Sequence, residues 1–231
     1  MEDTWSKSKI ELRRIVDFVL WVGSLPRVPR IDLVKLVQMK HEFVSWPNSY
    51  ACCPALDITI DNFRLRPLCW NDRLEIRRWR NAQIHILRQR IELTVEQQDE
   101  YFRLVVANEM KIQFPPQILM GLDYSGEFVA YGGLVHINWM DRHAEMSFLT
   151  DPIYSNNGDH HRLLTIFVKL LSQLALNELG LHRLFTETYS FRTEHIKILE
   201  SVGLCREGVR KEHVLINGEF VDSIVHGLIL E

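Results

Sequence analysis

The stretch RHAEMSFLTDPIYSNNGDHHRLLTIFVKLL, from Arg142 to Leu171, decides the fold because it joins a strand, a loop and a helix. Polar and apolar side chains alternate from Arg142 to Leu149, which predicts a strand. Residues 150–160 are rich in Asn, Asp, Ser and Pro and predict a loop, and leucines at helical spacing predict a helix after it. A loop that leads into a helix presents free backbone N–H groups and suits a phosphate. The stretch therefore predicts a unit of strand, loop and helix. Such units occur in proteins both with and without a ligand at the loop.

The composition is that of an ordinary globular protein of 231 residues, with 46% hydrophobic and 25% charged residues. The formal net charge of −3 gives no attraction to nucleic acid or to an anionic membrane, so neither is predicted as a partner. The four cysteines form no C-x-x-C pair and have no histidine at zinc spacing, which predicts no metal site and a reducing, cytoplasmic location. The apolar run IVDFVLWVGSL contains Asp17, so it predicts neither a signal peptide nor a membrane-spanning helix.

Residues 1–58 differ in character from the rest of the chain and are predicted to form a helical N-terminal extension and a linker. Apolar side chains at helical spacing indicate one amphipathic helix before Pro26 and a second one after Pro29. The segment SWPNSYACCPALD follows as the linker. The extension packs either on the main domain or on a second copy of the chain in a homodimer, and the sequence leaves both arrangements open. The main domain is predicted to span residues 59–231.

The main domain alternates between strand and helix signals. Thr94, with a glutamine three residues later, has the pattern of a capping box and predicts the start of a helix. Ser125-Gly126 and Asn217-Gly218 each lie between two strand-like runs and predict β-hairpins. The pair Gly132-Gly133 inside a strand predicts a bulge or a close approach of two backbones. The order β-α-α-β-β-β-α-β-α-β-β predicts an α/β (α+β) fold whose mixed sheet carries helices on both faces.

Four segments of the main domain resemble, in the same order, the GNAT superfamily of acyl-CoA N-acyltransferases. The segment FRLRPLCWNDRLEIRRWRN, from Phe63 to Asn81, is similar to the opening strand and helix of the family. Three further segments resemble its third and fourth strands, its late strand and helix, and its closing hairpin: EFVAYGGLVHINWMDRHAEMSFL, LGLHRLFTETYSFRTEHIKILESVGL and EGVRKEHVLINGEFVDSIVHGLI. The resemblance covers residues 60–231. It implies a GNAT-like, mostly antiparallel central sheet and acetyl-CoA as the acyl donor.

The resemblance also implies an acetyl-CoA-dependent N-acetyltransferase that acts on a small primary amine. The segments YGGLVHINW and GLHRLFTETYSFR look most like the branch that acetylates nucleotide-linked amino sugars in surface polysaccharide biosynthesis. Acetylation of a protein N-terminus, as in the ribosomal-protein branch, is the alternative. A GNAT fold that binds a ligand without transferring an acetyl group is the alternative from a different class of function.

The resemblance places the coenzyme on the central strand, on the loop after it and on a late helix. The pyrophosphate loop departs from the family pattern, because Ser155-x-x-Gly158-x-His160 keeps one glycine and puts an imidazole where a small residue is usual. His160 is therefore predicted either to add charge toward the phosphates or to obstruct the loop. The complete set of predicted coenzyme residues is Met146, Ser147, Phe148, Leu149, Ser155, Asn156, Asn157, Gly158, Asp159, His160, His161, Arg162, Arg192 and His195.

Transfer of an acetyl group to an amine requires loss of an amine proton, stabilisation of an oxyanion and departure of a thiolate. Glu145 is predicted as the base, directly or through water, with a structural hydrogen-bond acceptor as the alternative role. His136, on the preceding strand, is predicted to orient the substrate or to act as the base. Many relatives place a tyrosine where this chain has Leu199. Tyr189 is therefore a predicted proton donor, and Tyr154 and His160 are further candidates.

Overall fold

The computed structural model describes residues 46–155 and 159–231. The two amphipathic helices predicted in the N-terminal extension lie outside the described residues. So do Asn156, Asn157 and Gly158 of the predicted phosphate loop. In the described part of the chain, no helix is long and apolar enough to cross a membrane.

Eight strands form one sheet in the described residues. They are β1 (Ile58–Ile60), β2 (Phe63–Pro67), β3 (Ile118–Tyr124), β4 (Glu127–Asn138), β5 (His143–Thr150), β6 (Arg183–Tyr189), β7 (Cys205–Ile216) and β8 (Glu219–Ile229). Their spatial order is β1-β2-β3-β4-β5-β6-β8-β7. All neighbours are antiparallel except β5 and β6, which are parallel. This mixed, mostly antiparallel sheet confirms the predicted fold class.

Helices connect the strands. They are α1 (Asp72–Ala82), α2 (Val95–Tyr101), α3 (Pro152–Ser155), α4 (Asp159–Gln173) and α5 (Thr193–Ser201). A 3-10 turn (Ile84–Ile86) follows α1, π-helical turns extend α2 (Phe102–Val106) and α4 (Leu174–Glu178), and a last α-helical turn (Ala107–Glu109) ends the α2 region. The predicted capping box is present, because the Thr94 hydroxyl accepts from the N–H of Gln97 and the Gln97 side chain accepts from the N–H of Thr94.

Helices cover both faces of the sheet. Along β5, the side chain of Phe148 points to α4, where its ring centroid lies 4.8 Å from that of Phe167. Glu145 has the opposite parity on the same strand, and its carboxylate contacts Arg88, which follows α1 in the chain. We name these two sides of the sheet the α4 face and the α1 face.

The strands β5 and β6 run side by side only over their first three residues. Their pairing ends at Glu145 and Phe185, although β5 continues to Thr150 and β6 to Tyr189. The strands separate because β4 pairs with β5 up to Thr150 and β8 pairs with β6 up to Tyr189, so each strand follows its own half of the twisted sheet. Within residues 46–155 and 159–231, the main-chain groups of β5 that point toward β6 beyond Glu145 therefore have no strand partner.

Two glycines in β4 allow the neighbouring strands to approach closely. A Cβ atom at Gly132 would lie 2.1 Å from a carbonyl oxygen of β5, and one at Gly133 would lie 2.0 Å from a carbonyl oxygen of β3. Close approach is thus the correct one of the two predicted alternatives for this pair. The bulge lies further along β4, where the register with β5 shifts between Val135 and Asn138.

Residues 46–53 belong to the predicted linker but pack into the core of the domain. The hydroxyl of Tyr50 accepts from the N–H of Leu119 at 2.7 Å and donates to the carbonyl of Leu119 at 3.1 Å. Tyr50 is only 1% exposed, and Cys53 is buried beside it. The core therefore begins before residue 58, and the predicted domain boundary stays a prediction, as does the homodimer.

Candidate active site

A cavity of about 250 Å³ opens where β5 and β6 separate. Its walls come from both faces of the sheet, from the segment after α1 on one side and from α5 on the other. The structure brings many of the predicted residues together here. Those that line the cavity are His136, Glu145, Met146, Ser147, Phe148, Leu149, Tyr189, Arg192 and His195.

Other predicted coenzyme residues lie away from this cavity. Ser155 ends α3, and its hydroxyl donates to a carbonyl of the same helix at 2.6 Å. Asp159 and His161 are exposed at the start of α4. The guanidinium of Arg162 lies over two aromatic rings of β2 and β3, 5.0 and 4.9 Å from their centroids. The structure therefore gives Arg162 packing contacts with the sheet and does not place it at the cavity.

A histidine and a glutamate form a close pair on the α1 face of the cavity. His136 Nδ1 lies 2.8 Å from Glu145 Oε2. Val135 pairs with Glu145, so regular alternation would point His136 to the α4 face. The bulge, with a φ of 51° at His136, turns the imidazole back to the α1 face. A left-handed non-glycine residue costs on the order of 1–3 kcal/mol and is concentrated at functional sites, which supports a functional role for His136.

The carboxylate of Glu145 is charged at neutral pH. Burial raises the pKa of Glu145, but the hydrogen bond with His136 and the charge of Arg88 outweigh burial, so the pKa lies below its ordinary value. A carboxylate with a lowered pKa is a weak proton acceptor, but it orients an imidazole well. Because ionised Glu145 accepts from Nδ1–H of His136, the other ring nitrogen, Nε2, is left to take a proton from an amine.

An arginine connects Glu145 to a second buried carboxylate, which the sequence analysis missed. Nη2 of Arg88 lies 3.0 Å from Glu145 Oε1 and 3.5 Å from Glu187 Oε2. Glu187 also accepts from Arg210 at 2.7 Å and from the Ser223 hydroxyl at 2.8 Å, and its side chain is only 10% exposed. The available signal was the alternation in β6, which puts this glutamate on the same strand face as the predicted tyrosine.

Tyr189 ends β6 with its ring buried and contributes to the cavity wall. Its buried hydroxyl has no hydrogen-bond partner within residues 46–155 and 159–231. Burial raises the pKa of Tyr189, so the phenol keeps its proton at neutral pH. A buried, unpaired donor beside a gap is suited to a ligand atom that completes the hydrogen bond. Leu199 lines the same cavity and offers no donor.

Three basic side chains cluster between the starts of α4 and α5. His195 Nδ1 lies 3.2 Å from His160 Nε2 and 3.3 Å from Arg192 Nη2. Burial lowers the pKa of His160 to about 4 and that of Arg192 to about 10, and it lowers the pKa of His195 as well. At neutral pH the cluster therefore carries the charge of Arg192 alone, in a largely desolvated position. The charged role predicted for His160 is not available at neutral pH, and Arg192 is the group that suits an anion.

Comparison with known proteins shows the family of the chain. The family described as acetyltransferase (GNAT) domain matches residues 65–225. The chain belongs to the GNAT acetyltransferase family. It is an N-acetyltransferase, and acetyl-CoA is its acyl donor. No curated protein matches the sequence.

Solved structures similar to this GNAT domain include spermidine N-acetyltransferase from Vibrio cholerae. The complex of that enzyme with CoA and spermine has a TM-score of 0.64 at 16% identity, and the match covers 73% of this chain and 96% of that chain. Its dodecameric structure in an intermediate state has a TM-score of 0.59 at 18% identity, with coverage of 73% and 94%. At these identities the likeness establishes the fold alone.

The cavity of this GNAT domain fits acetyl-CoA. The main-chain edge of β5 beyond Glu145 offers hydrogen bonds to the amide groups of the coenzyme arm. Arg192 offers a buried positive charge to an anionic group. The unpaired hydroxyl of Tyr189 offers a donor to the sulfur end. Within the described residues, this part of β5 has no strand partner and the Tyr189 hydroxyl has no hydrogen-bond partner, and the coenzyme can supply both.

Substitution of Tyr189 by phenylalanine should lower kcat by about tenfold without loss of stability. The hydroxyl has no hydrogen bond to lose within the described chain, so its removal should not destabilise the fold. The expected loss is below the usual range for positioned acid catalysis because coenzyme A is a tolerable leaving group. Thiol release in steady state measures kcat, and thermal unfolding measures stability. Tyr154→Phe, which removes a hydroxyl outside the cavity, is the control, and a parental kcat for Tyr189→Phe would exclude the role.

Acidification should lower the stability of the folded protein, because His160 is buried. The unfolded chain binds a proton at this histidine below a pKa of 6.5, whereas the folded protein does so only near pH 4, so stability is lost as the pH falls through this window. Burial raises the pKa of Glu109 to about 7, which has the opposite effect but is common to the parent and His160→Gln. The comparison therefore reports His160 together with His195, whose pKa is lowered in part by His160. Urea unfolding at pH 7 and pH 5 should show a smaller loss for His160→Gln than for the parent. His182→Gln, at an exposed position, is the control; equal losses in the parent and His160→Gln would contradict the prediction.

Proposed function

We propose that this GNAT enzyme acetylates the amino group of a nucleotide-linked amino sugar. The observation that carries the proposal is the pair of His136 and Glu145, whose side chains meet at the gap between β5 and β6. A histidine oriented by a buried carboxylate is a suitable acceptor for the proton that an amine must lose. The acetyl donor enters the same gap, so the acceptor amine and the base share one cavity.

Each residue at the cavity has a defined task in this proposal. Acetyl-CoA supplies the acetyl group as a thioester. His136 Nε2 takes the amine proton, and Glu145 stabilises the imidazolium through Nδ1. The free N–H groups of β5 between Met146 and Leu149 hydrogen-bond the oxygen on which negative charge develops. The Tyr189 hydroxyl gives its proton to the leaving sulfur.

The lining of the cavity supports a hydroxylated acceptor. An aliphatic polycation would have to displace both arginines that compensate Glu145 and Glu187, whereas an acceptor with one amino group has to displace only one of them. A cavity of about 250 Å³ suits a sugar ring, with the nucleotide at its mouth. Amide and phenol groups make part of this lining polar, and hydrogen bonds with Arg80 and Glu109 already fix several of them in place: Gln89, Gln98, Gln117, Tyr101 and Tyr131.

A panel of primary amines tests the acceptor. Purified protein and acetyl-CoA are incubated with a UDP-linked amino sugar, with spermidine or with a peptide that begins with alanine. Thiol release and the mass of the acetylated product are measured. We expect turnover of the amino sugar nucleotide. Turnover of spermidine or of the peptide without the sugar would overturn this acceptor and assign the other one.

Binding of acetyl-CoA to this cavity is tested separately, because His160 and Leu199 depart from the family pattern. Calorimetry with acetyl-CoA, with desulfo-CoA and ATP as controls, measures the affinity. We expect micromolar binding that is specific for the coenzyme. No binding at millimolar acetyl-CoA would overturn the assignment of this cavity to the coenzyme.

A further inference from the structure

We propose that the space between Glu145 and Glu187 is the subsite for the ammonium group of the acceptor, and that Arg88 fills it until the acceptor arrives. This inference rests on the proposed function and concerns what the acceptor must displace. The position of one atom supports this subsite. Nη2 of Arg88 lies 3.0 Å from Oε1 of Glu145 and 3.5 Å from Oε2 of Glu187. A nitrogen of a cationic group between two buried carboxylates has the position that the nitrogen of an alkylammonium ion would take.

The position of this nitrogen relative to the base supports the assignment. Glu145 uses Oε1 for Arg88 and Oε2 for His136, so the subsite and the imidazole lie on either side of one carboxylate. An ammonium ion held there would lose one proton through water to Nε2 of His136, because Nδ1 is already bonded to Glu145, and this loss frees the electron pair of the nitrogen. The N–C bond then forms as the C=O double bond opens to an oxyanion, and the C–S bond breaks when the carbonyl forms again. The nitrogen loses its second proton to water as the amide forms, the thiolate takes a proton from Tyr189, and water returns a proton to Tyr189 and removes the one on His136, so that one proton is released overall.

Arg88 can leave the subsite without disturbing its loop. Its side chain is 44% exposed, whereas those of Glu145 and Glu187 are only 12% and 10% exposed. Other contacts hold the backbone on both sides of it, since the N–H of Leu87 donates to the carbonyl of Ile84 and the N–H of Leu93 donates to the side chain of Asn81. The flexible arginine stem can therefore turn into water while the loop stays in place.

When an ammonium group replaces the guanidinium of Arg88, the charges of Glu145 and Glu187 stay compensated. The acceptor therefore enters as an ammonium ion. The acceptor must compete with a tethered guanidinium, whose effective concentration is on the order of millimolar or more. A bare ammonium ion competes poorly against it. An acceptor with further contacts in the cavity competes better, so Arg88 acts as a specificity-determining residue that selects against small amines.

The matched variants Arg88→Met and Arg90→Met test this inference. Methionine keeps an apolar stem and removes the charge, and Arg90 is an exposed arginine in the same loop. We expect the KM for the acceptor to fall about tenfold in Arg88→Met, because the competing state is removed, and to stay near the parental value in Arg90→Met. Guanidinium chloride at millimolar concentration should compete with the acceptor in Arg88→Met and leave the parent unaffected. A rise in KM in Arg88→Met would overturn the proposal and make Arg88 a ligand of the acceptor.

A binding measurement separates this inference from the proposed acceptor. Millimolar methylammonium chloride should raise the Tm of Arg88→Met relative to sodium chloride, and it should not raise that of Arg88→Met/Glu187→Gln. If the shift is seen while no amine of the panel turns over, the subsite is supported and the proposed function fails. If an amine turns over but neither competition nor a Tm shift occurs, the subsite is wrong and the proposed function stands.

Discussion

Replacement of His136 by asparagine should lower kcat by about 100-fold or more, while the affinity for acetyl-CoA stays near the parental value. The loss follows from removal of the ring nitrogen that accepts the amine proton. Asparagine is the variant of choice because it tolerates the left-handed backbone at this position, where φ is 51°. Steady-state kinetics with the acceptor measure kcat, and calorimetry measures coenzyme binding. A kcat within twofold of the parent would exclude His136 as the base.

The variant Glu145→Gln tests whether Glu145 orients His136 or is itself the base. If Glu145 acts through His136, Glu145→Gln should lower kcat by at least about tenfold. The double variant should then be no slower than His136→Asn alone, because both changes remove one coupled unit. A loss in Glu145→Gln that exceeds the loss in His136→Asn would make Glu145 the base itself. A parental kcat in Glu145→Gln would remove this carboxylate from catalysis.

Substitution of Gly133 by alanine should abolish stable folding. The added Cβ would lie 2.0 Å from a carbonyl oxygen of β3, and the φ of 143° is one that side chains rarely adopt. Backbone strain of this kind costs on the order of 1–3 kcal/mol, before the separation of two central strands is added. Because the net stability of a domain is about 5–15 kcal/mol, the total is a large part of what holds the fold. Soluble yield and urea unfolding measure the effect.

Gly208→Ala is the matched control for this substitution. Gly208 also lies in a strand, β7, but nothing lies within 4 Å of the position that its Cβ would take. Its stability should therefore stay within about 0.5 kcal/mol of the parent. If Gly133→Ala unfolded at the same urea concentration as Gly208→Ala, the close approach of β3 and β4 would not limit this position.

Local features were predictable because their causes lie within a few residues. Asn217 and Gly218 both have positive φ, 52° and 87°, as the two-residue turn requires. Ser125 and Gly126 show the same pattern, with φ of 51° and 89°. In each case the side chain, or its absence, determines which backbone angles are accessible. The hairpins could therefore be read from the sequence.

Features that depend on distant partners were missed or left open. Tyr50 is 69 residues from Leu119 in the sequence, and its hydroxyl hydrogen-bonds to both main-chain groups of that residue. This contact places part of the predicted linker in the core of the domain. The bulge at His136 depends on the register between β4 and β5. The nearby glycine pair did not predict at which residue of β4 this bulge lies. No local pattern reports such contacts, because they form only when the strands pair.

The sequence by itself determined the alternation of strands and helices, the turns, the family and nine of the residues that line the cavity. Hydrogen bonds within helices and hairpins and the periodicity of apolar side chains act over short distances, and four family-like segments in order cover residues 60–231. Only the tertiary structure decided the electrostatics of the site. Arg88 is 57 residues from Glu145, and Glu187 reaches the same guanidinium from another strand. Their charges interact because the pairing of the strands brings both carboxylates into one cavity, where their side chains are only 12% and 10% exposed. A distance in space between such residues is not encoded in any one segment of the chain.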